Sequence, residues 1–186
     1  NRMPAATPLQ QTDGDRRPPL EAFKLYRAVE ETAPDGLRLR GIELDLHPGQ
    51  AAAWDATERI VAVISGTQGG KTSFGPWWLY REIALHGPGD YLAVTASFDL
   101  FKLKMLPEMK AVFCDLLHWG SYEASDRVIR SHDGKTRIIL RSANAPGGLE
   151  SATARAAWLD ECGQDDFRLD SWEAVQRRLS LSQGRV

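Results

Sequence analysis

The chain has 186 residues, of which 42% are hydrophobic and 26% charged, and its formal net charge is −2. This length suits one domain with a full core rather than two. A net charge of −2 gives no indication of a broad cationic surface, so nucleic-acid binding would have to come from a local patch or from several assembled copies. No apolar run approaches the roughly 20 residues that span a bilayer, and the amino-terminal segment NRMPAATPLQQ lacks the apolar core of a signal peptide.

Cysteine and histidine usage gives no support for a metal cluster or a disulfide framework. Cys114 and Cys162 lie far apart and form no CxxC pair, and the four histidines are isolated from one another in the sequence. This pattern fits a reducing compartment.

The first forty residues differ in composition from the rest of the chain. Residues 1–19 are rich in Pro, Gln, Thr and Gly and are expected to form a loose tail. The apolar spacing in Leu20–Ala33 predicts a helix that ends at a Pro-Asp-Gly run. We therefore expect an amino-terminal tail with a helical extension over residues 1–41 and a main domain over residues 42–186.

Strands and helices alternate in the main domain. Arg59–Ile64 is β-branched and apolar, which predicts a buried strand. A helix is predicted over Lys71–His86, followed by a short strand over Tyr91–Thr95. A long amphipathic helix is predicted over Asp99–Trp119, with an interruption at Pro107.

The carboxyl-terminal third predicts a hairpin, a third buried strand and a final helix. Arg127–Arg130 and Thr136–Arg141 flank an Asp-Gly turn signal. Ala156–Asp160 reads as a buried strand, and Asp170–Glu173 has the spacing of a capping box that opens a helix to about Leu181. This order predicts an α/β fold, with a mainly parallel sheet covered by helices on both faces and ligands at the carboxyl ends of the strands.

Residues 61–72, VAVISGTQGGKT, resemble a phosphate-binding loop between a strand and a helix. Gly70, Lys71 and Thr72 match the end of the pattern, whereas Ser65 stands where the leading glycine is expected. Glycines let backbone N–H groups turn toward an anion at the amino end of the helix. We expect Lys71 to contact the β- and γ-phosphates and Thr72 to be a ligand of Mg²⁺. The expected nucleotide contacts within the loop are Ser65, Gly66, Thr67, Gln68, Gly69, Gly70, Lys71, Thr72 and Ser73.

Gly75-Pro76 falls inside the helix predicted after this loop. Proline in a helix interior costs about 3 kcal/mol, so a bend or an irregular first turn is expected there.

Two adjacent acids end the strand AAWLD. Consecutive residues of a strand point in opposite directions, so Asp160 and Glu161 can have different roles. Asp160 is expected to hold Mg²⁺ through water, and Glu161 to orient or deprotonate the attacking water. Asp165 and Asp166 follow closely and leave open a two-metal nuclease interpretation, with solvated loop acids as the alternative.

The combination of SGTQGGKT, AAWLDECGQ and the upstream HPGQ at His47–Gln50 resembles the ATPase domain of the large terminase subunit of tailed phages. The likeness covers roughly residues 42–186. It implies a P-loop NTPase of the additional-strand, catalytic-glutamate (RecA-like) type with ATP and Mg²⁺. It further implies that Gln50 reads the adenine, and that an arginine acts on the phosphates, for which Arg155 and, alternatively, Arg141 are candidates.

The same resemblance implies partners and a location. They are double-stranded DNA, a homo-oligomeric ring that is expected to be a pentamer, the portal of a procapsid and a small terminase subunit, without a membrane. The protein is expected in the host cytoplasm, docked at the portal during packaging and absent from the mature virion. The coupling motif and the nuclease domain of the family are expected beyond residue 186, so DNA cleavage is not expected of these residues.

Two other functions remain open at this stage. A helicase-type translocase shares the Gln motif, the P-loop and the Asp-Glu pair. A nucleotide-binding module that assembles a ring without turnover is the alternative from a different class.

Overall fold

The main body of the chain is a mixed five-stranded sheet with helices on both faces. The computed structural model describes residues 2–4, 25–32, 34, 38–66, 69–144 and 153–186. In chain order the elements are β1 (Arg2–Pro4), β2 (Tyr26–Thr32), β3 (Arg38–Leu44), α1 (Pro48–Asp55), α2 (Lys71–His86), β4 (Asp90–Thr95), α3 (Phe98–Leu100), α4 (Leu106–Lys110), β5 (Gly120–Glu123), β6 (Val128–Ser131), β7 (Arg137–Ser142), β8 (Ala157–Asp160) and α5 (Leu169–Leu179).

The main sheet has the strand order β5-β6-β7-β4-β8. β4 is parallel to β7 on one side and to β8 on the other, while β5, β6 and β7 form antiparallel pairs. The predicted α/β class and the predicted hairpin are confirmed. β5 was not predicted, because GSYE is short and carries no alternating pattern.

The two faces of β4 belong to different parts of the core. Tyr91 and Ala93 pack with α2 and the helical segment that contains α3 and α4, whereas Leu92 and Val94 pack with α5. The segment over residues 98–116 is helical, with wider π-helical turns at Phe101–Met105 and Ala111–Leu116. Helices therefore cover both faces of the sheet, as the sequence predicts.

The predicted helix over Leu20–Ala33 is wrong where the structure describes it. Residues Tyr26–Thr32 form strand β2, which pairs antiparallel with β3 along its whole length. A Pro-Asp-Gly run can end a helix, but it is equally typical of a turn between two strands. Residues 20–24 lie outside the described part of the chain. The domain boundary proposed near Gly41 falls within β3.

The predicted strand over Arg59–Ile64 is not part of the sheet. Val61 N–H donates to the Val186 carbonyl, and Val186 N–H donates to the Arg59 carbonyl, both within 2.9 Å. Ile64 is 94% exposed. The composition of this segment predicts a strand. A strand must also hydrogen-bond to a neighbouring strand along its length. Among the described residues only Val186 pairs with the backbone of this segment.

Helix α2 is continuous through Gly75-Pro76, and Phe74 N–H donates to the Gly70 carbonyl at 3.0 Å as in a regular first turn. The expected irregular first turn is therefore wrong, and a bend stays a prediction. A Cβ at position 75 would overlap the ring of Trp158, so the glycine allows α2 to lie directly on β8. Trp158 is 9% exposed and belongs to the same core cluster as Phe74 and Trp77. Close approach to a tryptophan ring thus explains the glycine.

The capping box predicted at Asp170 is also wrong. Helix α5 begins at Leu169, its N-cap is Arg168, and no side-chain cap is present there. Asp170 lies in the first helical turn instead, where its negative charge is favourable to the helix dipole.

A buried carboxylate joins α2 to the carboxyl-terminal residues. Glu82 is fully buried and accepts from Arg185 at 2.6 Å and from Arg81 at 2.8 Å, with His86 at 3.1 Å. Arg185 also donates to the carbonyls of Ala56 and Glu58 at 2.6 and 3.0 Å. This network fixes the end of α1 and the last residues against α2.

Replacing Gly75 with alanine tests the contact between α2 and Trp158. Alanine favours a helix by about 1 kcal/mol, but overpacking against a ring typically costs about 1–3 kcal/mol. We expect Gly75→Ala to lower the free energy of unfolding measured by denaturant titration. Gly163→Ala, whose Cβ meets nothing within 4 Å, is the control. An equal or higher stability of Gly75→Ala would contradict the contact.

Replacing Glu82 with glutamine tests the buried network. The change leaves the half-buried Arg81 and Arg185 without a carboxylate, and breaking a buried pair costs about 3–5 kcal/mol in comparable cases. We expect a large drop in the free energy of unfolding. Glu173→Gln, which removes an exposed i,i+4 pair with Arg177 at 3.7 Å, is expected to cost under about 0.5 kcal/mol. Equal effects of the two changes would rule out a structural role for the network.

Candidate nucleotide and metal site

Two glycines of the loop before α2, Gly69 and Gly70, lie where a side chain would overlap a neighbour. Gly70 has a φ of 70°, in the left-handed region that favours glycine. A Cβ at Gly69 would overlap the Ser65 hydroxyl, and a Cβ at Gly70 would lie 2.8 Å from the Gln50 side-chain nitrogen. The loop therefore turns sharply into the amino end of α2, the geometry on which anion binding depends. Thr67 and Gln68 lie outside the described residues.

The Lys71 ammonium is folded back onto this loop. Its Nζ donates to the Ser65 carbonyl at 2.8 Å, the Gly66 carbonyl at 3.1 Å and the Ser65 hydroxyl at 3.2 Å. The serine at the position of the leading glycine thus supplies two of the acceptors. Ser73 lies half-buried in the first turn of α2.

Thr72 and Asp160 meet at the carboxyl edge of the sheet. The Thr72 hydroxyl donates to Asp160 Oδ2 at 3.1 Å and lies 3.5 Å from Oδ1, although 88 residues separate the two in the sequence. Asp160 is 3% exposed. Burial raises the pKa of Asp160, the hydrogen bond from Thr72 lowers it, and the nearby Glu161 charge raises it further. The structure thus joins the end of the loop to the end of β8.

These two residues fit a magnesium ion that is bound together with a nucleotide. Both offer oxygen, the ligand that Mg²⁺ prefers, and Mg²⁺ is usually held by one or two carboxylates plus phosphates and water. In the described part of the chain no group of three or more His, Cys, Asp or Glu side chains could hold a metal by itself. The site therefore suits a cation whose remaining ligands come from phosphate and solvent.

Glu161 turns away from Asp160 and contacts two other side chains. Its φ is 56°, an uncommon value for a non-glycine residue. Gln164 donates to Glu161 Oε2 at 3.3 Å, and the Lys104 ammonium lies 4.0 Å from Oε1. This left-handed turn sends the Glu161 carboxylate toward the helical segment over residues 98–116. Lys104 was not identified from sequence, because a lysine on a solvated helix face carries no signal.

His47 and Gln50 hold the loop from the side of α1. His47 Nδ1 accepts from the backbone N–H groups of Gly49 and Gln50, so Nε2 carries the hydrogen that faces the Gly69 carbonyl at 3.4 Å. Gln50 donates to the Gly70 carbonyl at 3.3 Å and accepts from His47 N–H at 3.2 Å. Contact of Gln50 with adenine stays a prediction. HPGQ carries a signal for this position, because a proline at the first helical position places His47 at the N-cap.

The two arginine candidates lie at different places. Arg155 precedes β8 and donates to the His86 carbonyl at 2.8 Å. It lines a cavity of about 530 Å³ with Gly89 and Asp90, at the edge of the sheet opposite Asp160. Arg141, near the carboxyl end of β7, donates to the carbonyls of Asp126 at 2.9 Å and Leu140 at 2.8 Å. Their roles in catalysis stay predictions.

The acids Asp165 and Asp166 are exposed in the loop between β8 and α5. Neither is hydrogen-bonded to Asp160 or Glu161 in the part of the chain that the structure describes. Their part in a two-metal site stays a prediction. The structure also contains no described helix that is long and apolar enough to cross a membrane.

Replacing Asp160 with asparagine tests the burial of this carboxylate. Because the folded-state pKa is raised, the neutral form is favoured by folding, and that contribution is lost as the pH rises through the folded pKa. We expect Asp160→Asn to raise the Tm of the nucleotide-free protein at neutral pH, with the gain vanishing near pH 4, the ordinary pKa of aspartate. Asp165→Asn, at an exposed position, should show no such pH-dependent difference. A lower Tm of Asp160→Asn than of the parent at neutral pH would contradict the raised pKa of the buried Asp160 carboxylate.

Comparison with solved structures supports the fold. The chain is similar to the large terminase ATPase domain of Thermus phage P74-26, with 16% sequence identity and a TM-score of 0.62. An arginine-to-alanine variant of that domain gives 16% identity and a TM-score of 0.61. Both alignments cover 76% of this chain, which spans 63% of the length of those domains.

A family comparison identifies the chain more specifically. No curated protein matches it. The family model described as terminase large subunit, T4likevirus-type, N-terminal matches residues 63–186, which include the loop, β8 and α5. This match confirms the resemblance inferred from the sequence motifs. The chain belongs to the N-terminal family of T4-type large terminase subunits.

Proposed function

We propose that this chain is a Mg²⁺-dependent ATPase whose turnover drives double-stranded viral DNA into a procapsid. The observation that carries the proposal is the hydrogen bond of 3.1 Å between Thr72 and Asp160. It unites a phosphate-binding loop with an acid at the end of a parallel strand, which is the arrangement that phosphoryl transfer from ATP requires. Family membership adds the packaging context.

Phosphate binding is assigned to the loop and to the amino end of α2. Backbone N–H groups around Gly69 and Gly70 and the positive end of the helix favour the triphosphate. Lys71 leaves the loop carbonyls and pairs with phosphate oxygens. Thr72 and Asp160 hold Mg²⁺, which when bound neutralises charge on the phosphates. Gln50 contacts the adenine.

Water activation is assigned to Glu161. Its carboxylate accepts a proton from the attacking water, a role that needs hydrogen-bond reach to the water beside the terminal phosphate. Gln164 and Lys104 contact this carboxylate and hold it in one direction.

Assembly supplies the remaining parts. We assign the arginine that stabilises the transferring phosphoryl group to a neighbouring copy in a ring, with Arg155 as the first candidate and Arg141 as the second. Arg155 precedes Asp160 by five residues of extended chain, which is about 16 Å at roughly 3.3 Å per residue, and this separation supports a role at another subunit's nucleotide. A pentameric ring, the portal, a small terminase subunit and the host cytoplasm complete the proposal.

The test is nucleotide hydrolysis by variants of the loop and of the acid pair. We expect Glu161→Gln to lower kcat at least about 100-fold with nucleotide affinity retained, because a general base contributes about 10²–10⁴. Lys71→Ala should weaken binding and turnover together. The measurements are ATP turnover with Mg²⁺ and binding of a non-hydrolysable analogue.

Asp165→Asn is the matched control for Glu161→Gln, because it removes an exposed acid four residues further along the chain. Full turnover by Glu161→Gln would exclude the proposed mechanism. Tight binding without turnover in the parent protein would instead favour the ring-assembly module. DNA unwinding, rather than translocation of intact duplex, would favour the helicase-type translocase.

A further inference from the structure

Thr95, the last residue of β4, carries a buried hydroxyl group without a partner. The residue is 0% exposed. Its Oγ1 has no hydrogen-bond partner among the described residues. A buried hydroxyl in this condition destabilises the fold, and such groups in native proteins call for an explanation.

The position of Thr95 brings this hydroxyl next to the proposed metal ligand. In the parallel pairing of β4 with β8, Thr95 is the register partner of Asp160. Register partners lie about 4.8 Å apart and point to the same face of the sheet. On that face Thr72 donates to Asp160. Three oxygen-bearing side chains therefore gather at the carboxyl ends of β4 and β8.

Packing gives no reason for a hydroxyl here. Leu92, Ala93 and Val94, which precede Thr95 in β4, are buried and apolar. Valine has nearly the same shape as threonine and an equal preference for strands. A valine at position 95 would fill the space without leaving a polar atom unsatisfied. The buried hydroxyl therefore lowers the stability of the fold. Natural proteins accept such a local loss of stability mainly at functional sites.

We propose that Thr95 is a positioning residue for the divalent cation held by Thr72 and Asp160. A hydroxyl has one hydrogen to donate and two lone pairs to accept. Because Oγ1 makes no hydrogen bond to Asp160 or to any other described residue, its donor and acceptor capacity is available to water that would surround a bound cation. Mg²⁺ usually keeps several waters in its shell, and groups that orient such a shell affect metal affinity. This inference rests on the proposed function.

The experiment compares Thr95→Val with Thr95→Ser in the purified protein. The primary readout is the affinity for Mn²⁺, used as the probe cation, in the presence of a non-hydrolysable ATP analogue. Loss of one hydrogen bond predicts a weakening of about three- to tenfold in Thr95→Val. Thr95→Ser keeps the hydroxyl and should retain parent affinity. The Tm of Thr95→Val should be equal to or above that of the parent.

Ser142→Ala is the matched control. Ser142 is buried on β7 and is the register partner of Thr95 on the side away from Asp160. Its removal should leave the Mn²⁺ affinity unchanged. Unchanged Mn²⁺ affinity in Thr95→Val overturns the inference, whether its Tm rises, falls or stays the same. Failure of the parent protein to bind the analogue at all would instead contradict the proposed function, so the two failures are distinguishable.

Discussion

One hydrogen bond, from Thr72 to Asp160, determines where the candidate site can form. It joins the beginning of α2 to the end of β8, and the packing of Gly75 on Trp158 supports it from one helical turn away. Because both contacts connect the same helix to the same strand, the loop and the acid are held at a fixed spacing. The nucleotide and metal assignments all depend on that spacing.

Strong local patterns predicted most of the fold. The helix over Lys71–His86 is bounded by glycines and contains the buried run Phe74–Leu79. The buried strand β4 is short, largely apolar and flanked by turns. The failures have a common cause. Tyr26–Thr32 forms a strand because β3 pairs with it. Arg59–Ile64 does not, because in the described part of the chain only Val186 pairs with its backbone. Pairing between distant segments is not encoded in a short window of sequence.

The same distinction applies to the site. The meeting of Thr72 with Asp160 could be predicted because each stands at a fixed place relative to a helix or a strand in a known pattern. The place of Thr95 could not, because a single threonine at the end of a strand has no pattern. Only the register of β4 against β8 reveals that it neighbours Asp160. Three-dimensional adjacency therefore adds residues that motif reading omits.

The folded-back Lys71 has a consequence for which anions the loop can retain. Its ammonium already has three acceptors from Ser65 and Gly66, so an incoming anion gains only the difference between two sets of contacts. Any anion that binds Lys71 must replace those three acceptors, so this cost is the same for orthophosphate and for a nucleotide. Under the proposed function, a nucleotide would offset the cost through further contacts with α2 and with the α1 side of the loop. The anion that the loop retains would therefore be selected by contacts beyond Lys71.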